Sequence, residues 1–185
     1  MAVEFDSNFS FNQQLWFYYT TNRGKIRSRY NDLTRKFLAY NDSDENPHAF
    51  LRKPQFEALE MYIFVKEFMN NKQVYEMFDD WRHKRDRFSD ASYYAIEKSG
   101  QLRIGTDLTE KQTDTLFKQM KKYREEYPNY IYALTMGLGK TILMATCIFY
   151  EFLLVKKYPR DKRFCHNALV FAPDKTVLQS LREIM

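Results

Sequence analysis

The chain has 185 residues, 44% of them hydrophobic and 17% aromatic, and a formal charge of +5. That composition fits a soluble globular protein of one domain or slightly more, and the mild positive charge is compatible with nucleic acid without requiring it. Cys147 and Cys165 stand at no motif spacing with each other or with His83 and His166, which argues against a zinc site.

The first residues are acidic and polar rather than basic and then apolar, so no secretory signal is read there. Residues 1–46 read as an N-terminal extension, α/β or helical. Phe5, Phe9, Phe11 and the run Leu15–Tyr19 precede the basic residues Arg23, Lys25, Arg27, Arg29, Arg35 and Lys36. A strand and a helix, packed through the aromatics and through Leu33, Phe37 and Leu38, account for this pattern with a solvated basic face. Phosphate contacts and base stacking are the alternative. The acidic loop Asn41–Pro47 marks a boundary.

Residues 47–185 read as one body with an insertion at about 71–128. Pro54 suits the first turn of a helix, and Ala58, Leu59, Tyr62, Ile63, Val65 and Phe68 continue it at helical spacing. Asn70 and Asn71 should stop it. Val74, Met77, Phe78 and Trp81 mark a second amphipathic helix, with Arg82, Lys84, Arg85 and Arg87 behind it. Tyr93–Ile96 and Leu102–Ile104 read as short strands about Gly100. Thr109 and Gln112 resemble a capping box, and Leu116, Phe117, Met120 and Tyr123 form a third helix stopped by Pro128. Helical packing with a solvated face explains this block; a basic strip meeting nucleic acid is the other reading.

Tyr130–Ala133 is a short apolar run. It leads through Leu134-Thr135-Met136-Gly137-Leu138-Gly139-Lys140-Thr141 into the apolar segment 142–155. The order is strand, glycine-bearing loop, helix. Gly137 and Gly139 allow positive φ and close backbone approach, and the helix N-terminus adds its dipole. Lys140 then reaches the β- and γ-phosphates, and the Thr141 hydroxyl sits on Mg²⁺. Leu134 stands where the full phosphate-loop pattern has glycine. The competing reading is an ordinary turn, which leaves lysine and threonine at the start of an apolar helix unexplained. With a phosphate loop downstream, Gln55 gains meaning, because its amide both donates and accepts and so suits the adenine edge. The apolar segment 142–155 is shorter than the roughly 20 residues a bilayer needs, and the expected location is cytoplasmic. Cys147 within it reads as a buried free thiol. After the basic loop 156–163, Ala168–Ala172 reads as a buried parallel strand. Val177, Leu178, Leu181 and Ile184 begin another helix, without a C-cap before Met185.

Three segments together carry a resemblance. Leu51-Arg52-Lys53-Pro54-Gln55 resembles the adenine-reading glutamine motif of superfamily 2 (DEAD/DEAH-type) helicases and translocases, Met136–Thr141 resembles their phosphate loop, and Leu169–Pro173 the start of the next motif. The nearest likeness is to the helicase part of type III restriction-enzyme subunits and related phage-defence helicases. The resemblance covers about residue 50 to the end and implies a partial RecA-like α/β domain with parallel strands near 130–134 and 168–172. It implies ATP and Mg²⁺ as ligands, held by Gln55, Arg52, Met136, Gly137, Leu138, Gly139, Lys140 and Thr141. It also implies DNA as a partner, with Pro173, Asp174, Lys175 and Thr176 on the nucleic-acid backbone, and a second RecA-like lobe and other defence subunits beyond this chain. Gln55 and Lys140 stand further apart than in many relatives. The acidic pair used for hydrolysis is not recognisable, so the expectation is the ATP-binding front end of a longer helicase, competent to bind and not to turn over. Two alternatives stay open: a small self-contained phosphate-loop protein or kinase with Asp174 as its acid, and a helical interaction module with a vestigial loop.

Overall fold

The computed structural model describes residues 11–83, 110–135 and 137–171. The short strands expected about Gly100, the expected Thr109 cap, Met136, the expected Pro173–Thr176 site and the helix expected from Val177 fall outside the described residues. The chain divides into two compact units, the described parts of which are 11–27 with 71–83 and 110–130, and 28–70 with 131–135 and 137–171.

The first unit is built on α1 (Phe11–Ser28), α4 (Val74–Arg82) and α5 (Glu110–Lys122). Phe11, Leu15, Tyr18, Tyr19 and Ile26 of α1 are buried, a spacing of three to four residues that a helix places on one side. Phe11 meets Phe78 and Trp81 edge-on, with centroids 5.3 and 5.9 Å apart. No strand forms among the described aromatics of the N-terminal extension, whose run Leu15–Tyr19 lies in α1: consecutive aromatics favour strands intrinsically, but packing decides the state. Glu76 closes a capping box on the Gln73 N–H at 3.0 Å to start α4. None of the described residues of α5 is buried. It is held by Arg82, which pairs with Asp114 and lies 4.3 Å from the centre of the Phe117 ring.

The second unit contains α2 (Asp32–Asn41), α3 (Lys53–Ile63), a π-helical turn (Phe64–Phe68) and α6 (Lys140–Lys157). Asn31 caps α2 by accepting the Thr34 N–H at 3.0 Å, a contact worth about 1 kcal/mol. The helix expected from Pro54 runs on through the π-turn and ends at Asn70 and Asn71, with φ of 56° and 54°, a conformation asparagine tolerates better than most residues. Tyr150 of α6 sits at the centre, 5.3 Å from Phe37, 6.3 Å from Tyr62 and 6.1 Å from Phe164 by ring centroids.

The expected α/β, RecA-like sheet is not found. Among the described residues there is no strand, and the stretches 130–134 and 168–171 run without a ladder. Ile131 is 95% exposed and Phe171 85%. Their apolar runs signal burial between neighbouring strands, but a parallel ladder requires those neighbours, and the regular elements among the described residues are all helical.

Candidate functional site

The glycine-bearing loop opens α6. Gly137 and Gly139 both have positive φ, 77° and 64°, in the region where a Cβ is costly. The Leu138 N–H donates to the Thr135 carbonyl at 3.4 Å, and the Leu143 N–H to the Gly139 carbonyl at 3.2 Å. Gly139 is thus the N-cap, and Lys140, exposed, and Thr141, half-buried, form the first turn. The first N–H groups of such a turn have no intrahelical acceptor.

The two glycines differ in what surrounds them. A Cβ on Gly137 would meet no described atom within 4 Å, whereas one on Gly139 would lie 2.7 Å from Gln55 Nε2. Gly137 leaves room for a ligand; Gly139 makes room for Gln55.

That glutamine is 3% exposed and sits in the first turn of α3. Its Oε1 accepts the Arg52 N–H at 2.8 Å, closing a capping box, and its Nε2 donates to the Gly139 carbonyl at 3.0 Å. Arg52, exposed, donates from Nη1 to the Gly137 carbonyl at 3.4 Å. Two segments 84 and 85 residues apart therefore meet at one loop. Gln55 retains one N–H and one lone pair for a further partner. The site thus gathers Arg52, Gln55, Gly137, Leu138, Gly139, Lys140 and Thr141; Met136 and Pro173–Thr176 lie outside the described residues.

The groups fit a nucleoside triphosphate with Mg²⁺. Two left-handed glycines, an unoccluded Gly137, an exposed lysine and a hydroxyl on the first turn form a cradle for an anion. Lys140 would hold the phosphates and Thr141 the ion.

A second polar cluster lies in the same unit, and sequence reasoning did not find it. Lys66 and Glu67, neighbours in the π-turn, are 6% and 8% exposed. Lys66 pairs with Glu151 of α6 at 3.0 Å. Glu151 also accepts from the Tyr62 hydroxyl and, at 2.7 Å, from the Cys165 N–H. Glu67 accepts from the hydroxyls of Thr34 and Tyr150 and, at 3.1 Å, from Asn31 Nδ2. Burial and then the neighbouring carboxylate push both the Tyr62 and the Tyr150 hydroxyl well above the usual tyrosine range. Burial likewise pushes the Cys147 thiol up to about 12. Glu151 is the lone acid in the apolar segment 142–155; that was the available signal.

Along α6 runs an apolar cavity of 560 Å³, lined by Leu143, Met144 and Cys147 and by Tyr132, Leu169 and Phe171. Of the described loop residues it touches Leu134 and Lys140. Among the described residues no helix is long and apolar enough to cross a membrane. No family model, curated protein or solved structure matches this chain.

Proposed function

We propose that the loop from Leu134 to Thr141 binds ATP with Mg²⁺, in the manner of the nucleotide-binding segment of a superfamily 2 DNA helicase or translocase of the restriction and phage-defence kind. One observation carries this reading. Gln55 and Arg52, from the segment that resembles the adenine-reading motif, hydrogen-bond to the carbonyls of Gly139 and Gly137 in the segment that resembles the phosphate loop. Two sequence likenesses converge on one place. The reading rests on that convergence and on the loop geometry, not on a RecA-like sheet, which the described residues lack.

The chemistry assigned is binding. Lys140 supplies a charge-assisted contact to the β- and γ-phosphates, and the α6 dipole adds to it. Remaining hydrogen-bonding capacity on Gln55 turns to the base. DNA and other defence subunits are the partners this reading implies. Calorimetric titration of the purified chain with ATP and Mg²⁺ tests it: saturable binding is expected, and Lys140→Ala should abolish it. No heat of binding, or binding indifferent to Lys140→Ala, would leave an ordinary turn as the function of the loop.

A further inference from the structure

The first unit carries a cleft that the phosphate-loop reading does not use. Its volume is 260 Å³, and Lys72, Tyr75, Tyr123, Arg124, Tyr127 and Tyr130 line it. The end of α5 and the segment after it supply one wall; the start of α4 supplies the other. Tyr123 is 73% exposed and Tyr127 64%. Both rings therefore leave a face open to solvent.

The rings are already arranged with cations. Arg124 lies 5.6 Å from the centre of the Tyr75 ring, and Lys122 lies 5.0 Å from that of Tyr123. Tyr130 is fixed by a 2.9 Å hydrogen bond from its hydroxyl to Asn71. Lys72 is held at 2.6 Å by Asp80. Glu125 also lines the cleft, so its two cations, Lys72 and Arg124, stand with two carboxylates, Glu125 and the Asp80 that holds Lys72, and the surplus of positive charge comes from Lys121 and Lys122 on the last turn of α5.

We propose that this cleft binds single-stranded nucleic acid, stacking bases on Tyr123 and Tyr127 and placing the backbone beside Arg124 and Lys122. Three features select that ligand class. Every base has a flat face to offer an exposed ring, whatever its sequence. The volume of 260 Å³ suits unpaired bases and not the edge of a folded domain. Cations interleaved with the rings are what a phosphodiester needs, and a duplex, whose bases are already stacked, offers no face. Few cations take part, so the salt dependence is shallow and sequence preference slight. The cleft lies in the unit that does not carry the phosphate loop, and the proposal stands independently of nucleotide binding.

Fluorescence anisotropy of the full chain with a labelled oligothymidylate tests it, with the same length of duplex as comparison. The single strand is expected to bind better than the duplex. Tyr123→Ala and Tyr127→Ala should each weaken it roughly tenfold, while Tyr123→Phe and Tyr127→Phe, which keep the ring, should bind as the parent does. Both alanine variants change exposed side chains and should keep the parent's circular dichroism and its ATP binding. Equal affinity for duplex and single strand, unchanged affinity in the double alanine variant, or displacement of the strand by a proline-rich peptide at the same tyrosines would each overturn the proposal.

Discussion

The side-chain amide of Gln55 donates to the backbone carbonyl of Gly139 at 3.0 Å, across 84 residues of sequence. The bond makes Gln55 a brace for the loop before it is a reader of any base. Two effects can therefore be separated. Loss of the brace should weaken all nucleotides alike; loss of a base contact should weaken ATP more than GTP. Gln55→Ala is expected to reduce ATP affinity the more of the two, measured by calorimetry with each nucleotide. Equal losses would assign Gln55 to the loop alone.

Glycine substitutions at the two loop positions should differ for the same reason. An alanine at either must hold positive φ, a strain of roughly 1–2 kcal/mol. At Gly139 it must also displace the Gln55 amide, 2.7 Å from the new Cβ. Gly139→Ala is expected to be less stable than Gly137→Ala in urea unfolding, by about the 0.5–1.5 kcal/mol of a hydrogen bond. The opposite order would mean that the Gln55 contact contributes little.

How far this was legible depends on the kind of signal. Helix starts and stops came from local chemistry that tertiary structure left alone: Pro54 in the first turn of α3, Asn70 and Asn71 after the π-turn that continues it, Gly139 before α6. The loop was legible because its glycines and lysine sit in one short run. Ile131 and Leu169 misled, since an apolar run specifies burial and not the strand partner that would provide it; Leu169 is 80% exposed. Contact of Gln55 with Gly139 was outside the reach of spacing, because two distant segments had to be folded together. The cluster of Lys66, Glu67 and Glu151 was hidden for another reason. Charged residues in a helical pattern read as its solvated face, and the π-turn that carries two of them inward has no simple sequence signature.

Breaking that cluster should be costly. Lys66 and Glu151 have side chains 7% exposed, and a buried charge deprived of its partner typically costs about 3–5 kcal/mol. Lys66→Met is expected to destabilise by that order in chemical denaturation. Glu151→Leu should cost at least as much, since it also strips the acceptor from Tyr62 and from the Cys165 N–H. A loss below about 1 kcal/mol for Lys66→Met would show the pair to be solvated.

Alkaline pH should loosen the same region. Tyr62 and Tyr150 have hydroxyls raised above their ordinary 10.0, and Cys147 a thiol raised from 9.0 to about 12. These groups keep their protons in the folded chain at a pH where the unfolded chain loses them. The unfolded state then binds fewer protons, and stability falls as pH rises. Stability from these groups is fully present below about pH 9 and declines above it, by up to about 1.4 kcal/mol per pH unit for each group in its window. Urea midpoints across the alkaline range should show the decline, and Cys147→Ser should delay its onset. A flat profile to pH 11 would contradict the burial of these hydroxyls.

Hydrolysis asks for more than the loop supplies. A triphosphate bound on Gly137, Lys140 and Thr141 still needs a group that orients water and positive charge on the transferring phosphoryl. Among the described residues of the second unit the buried carboxylates are Asp42, Glu60, Glu67 and Glu151. Of these, Glu67 is committed to Thr34, Tyr150 and Asn31, Glu151 to Lys66, Tyr62 and Cys165, and Asp42 to the Asp44 N–H. In the first unit Asp79 is paired with Arg82, and Asp80 with Lys72. Asp44-Glu45, an adjacent acidic pair, lies exposed in the turn after α2 and follows no apolar run. Freeing any of the paired acids for catalysis would first cost its present contacts. The purified chain is therefore expected to bind ATP without measurable turnover, with or without DNA, in a phosphate-release assay. Hydrolysis that Lys140→Ala abolished would point instead to a water-positioning acid outside the described residues, with Asp174, after the apolar run at 168–172, the first to substitute with asparagine.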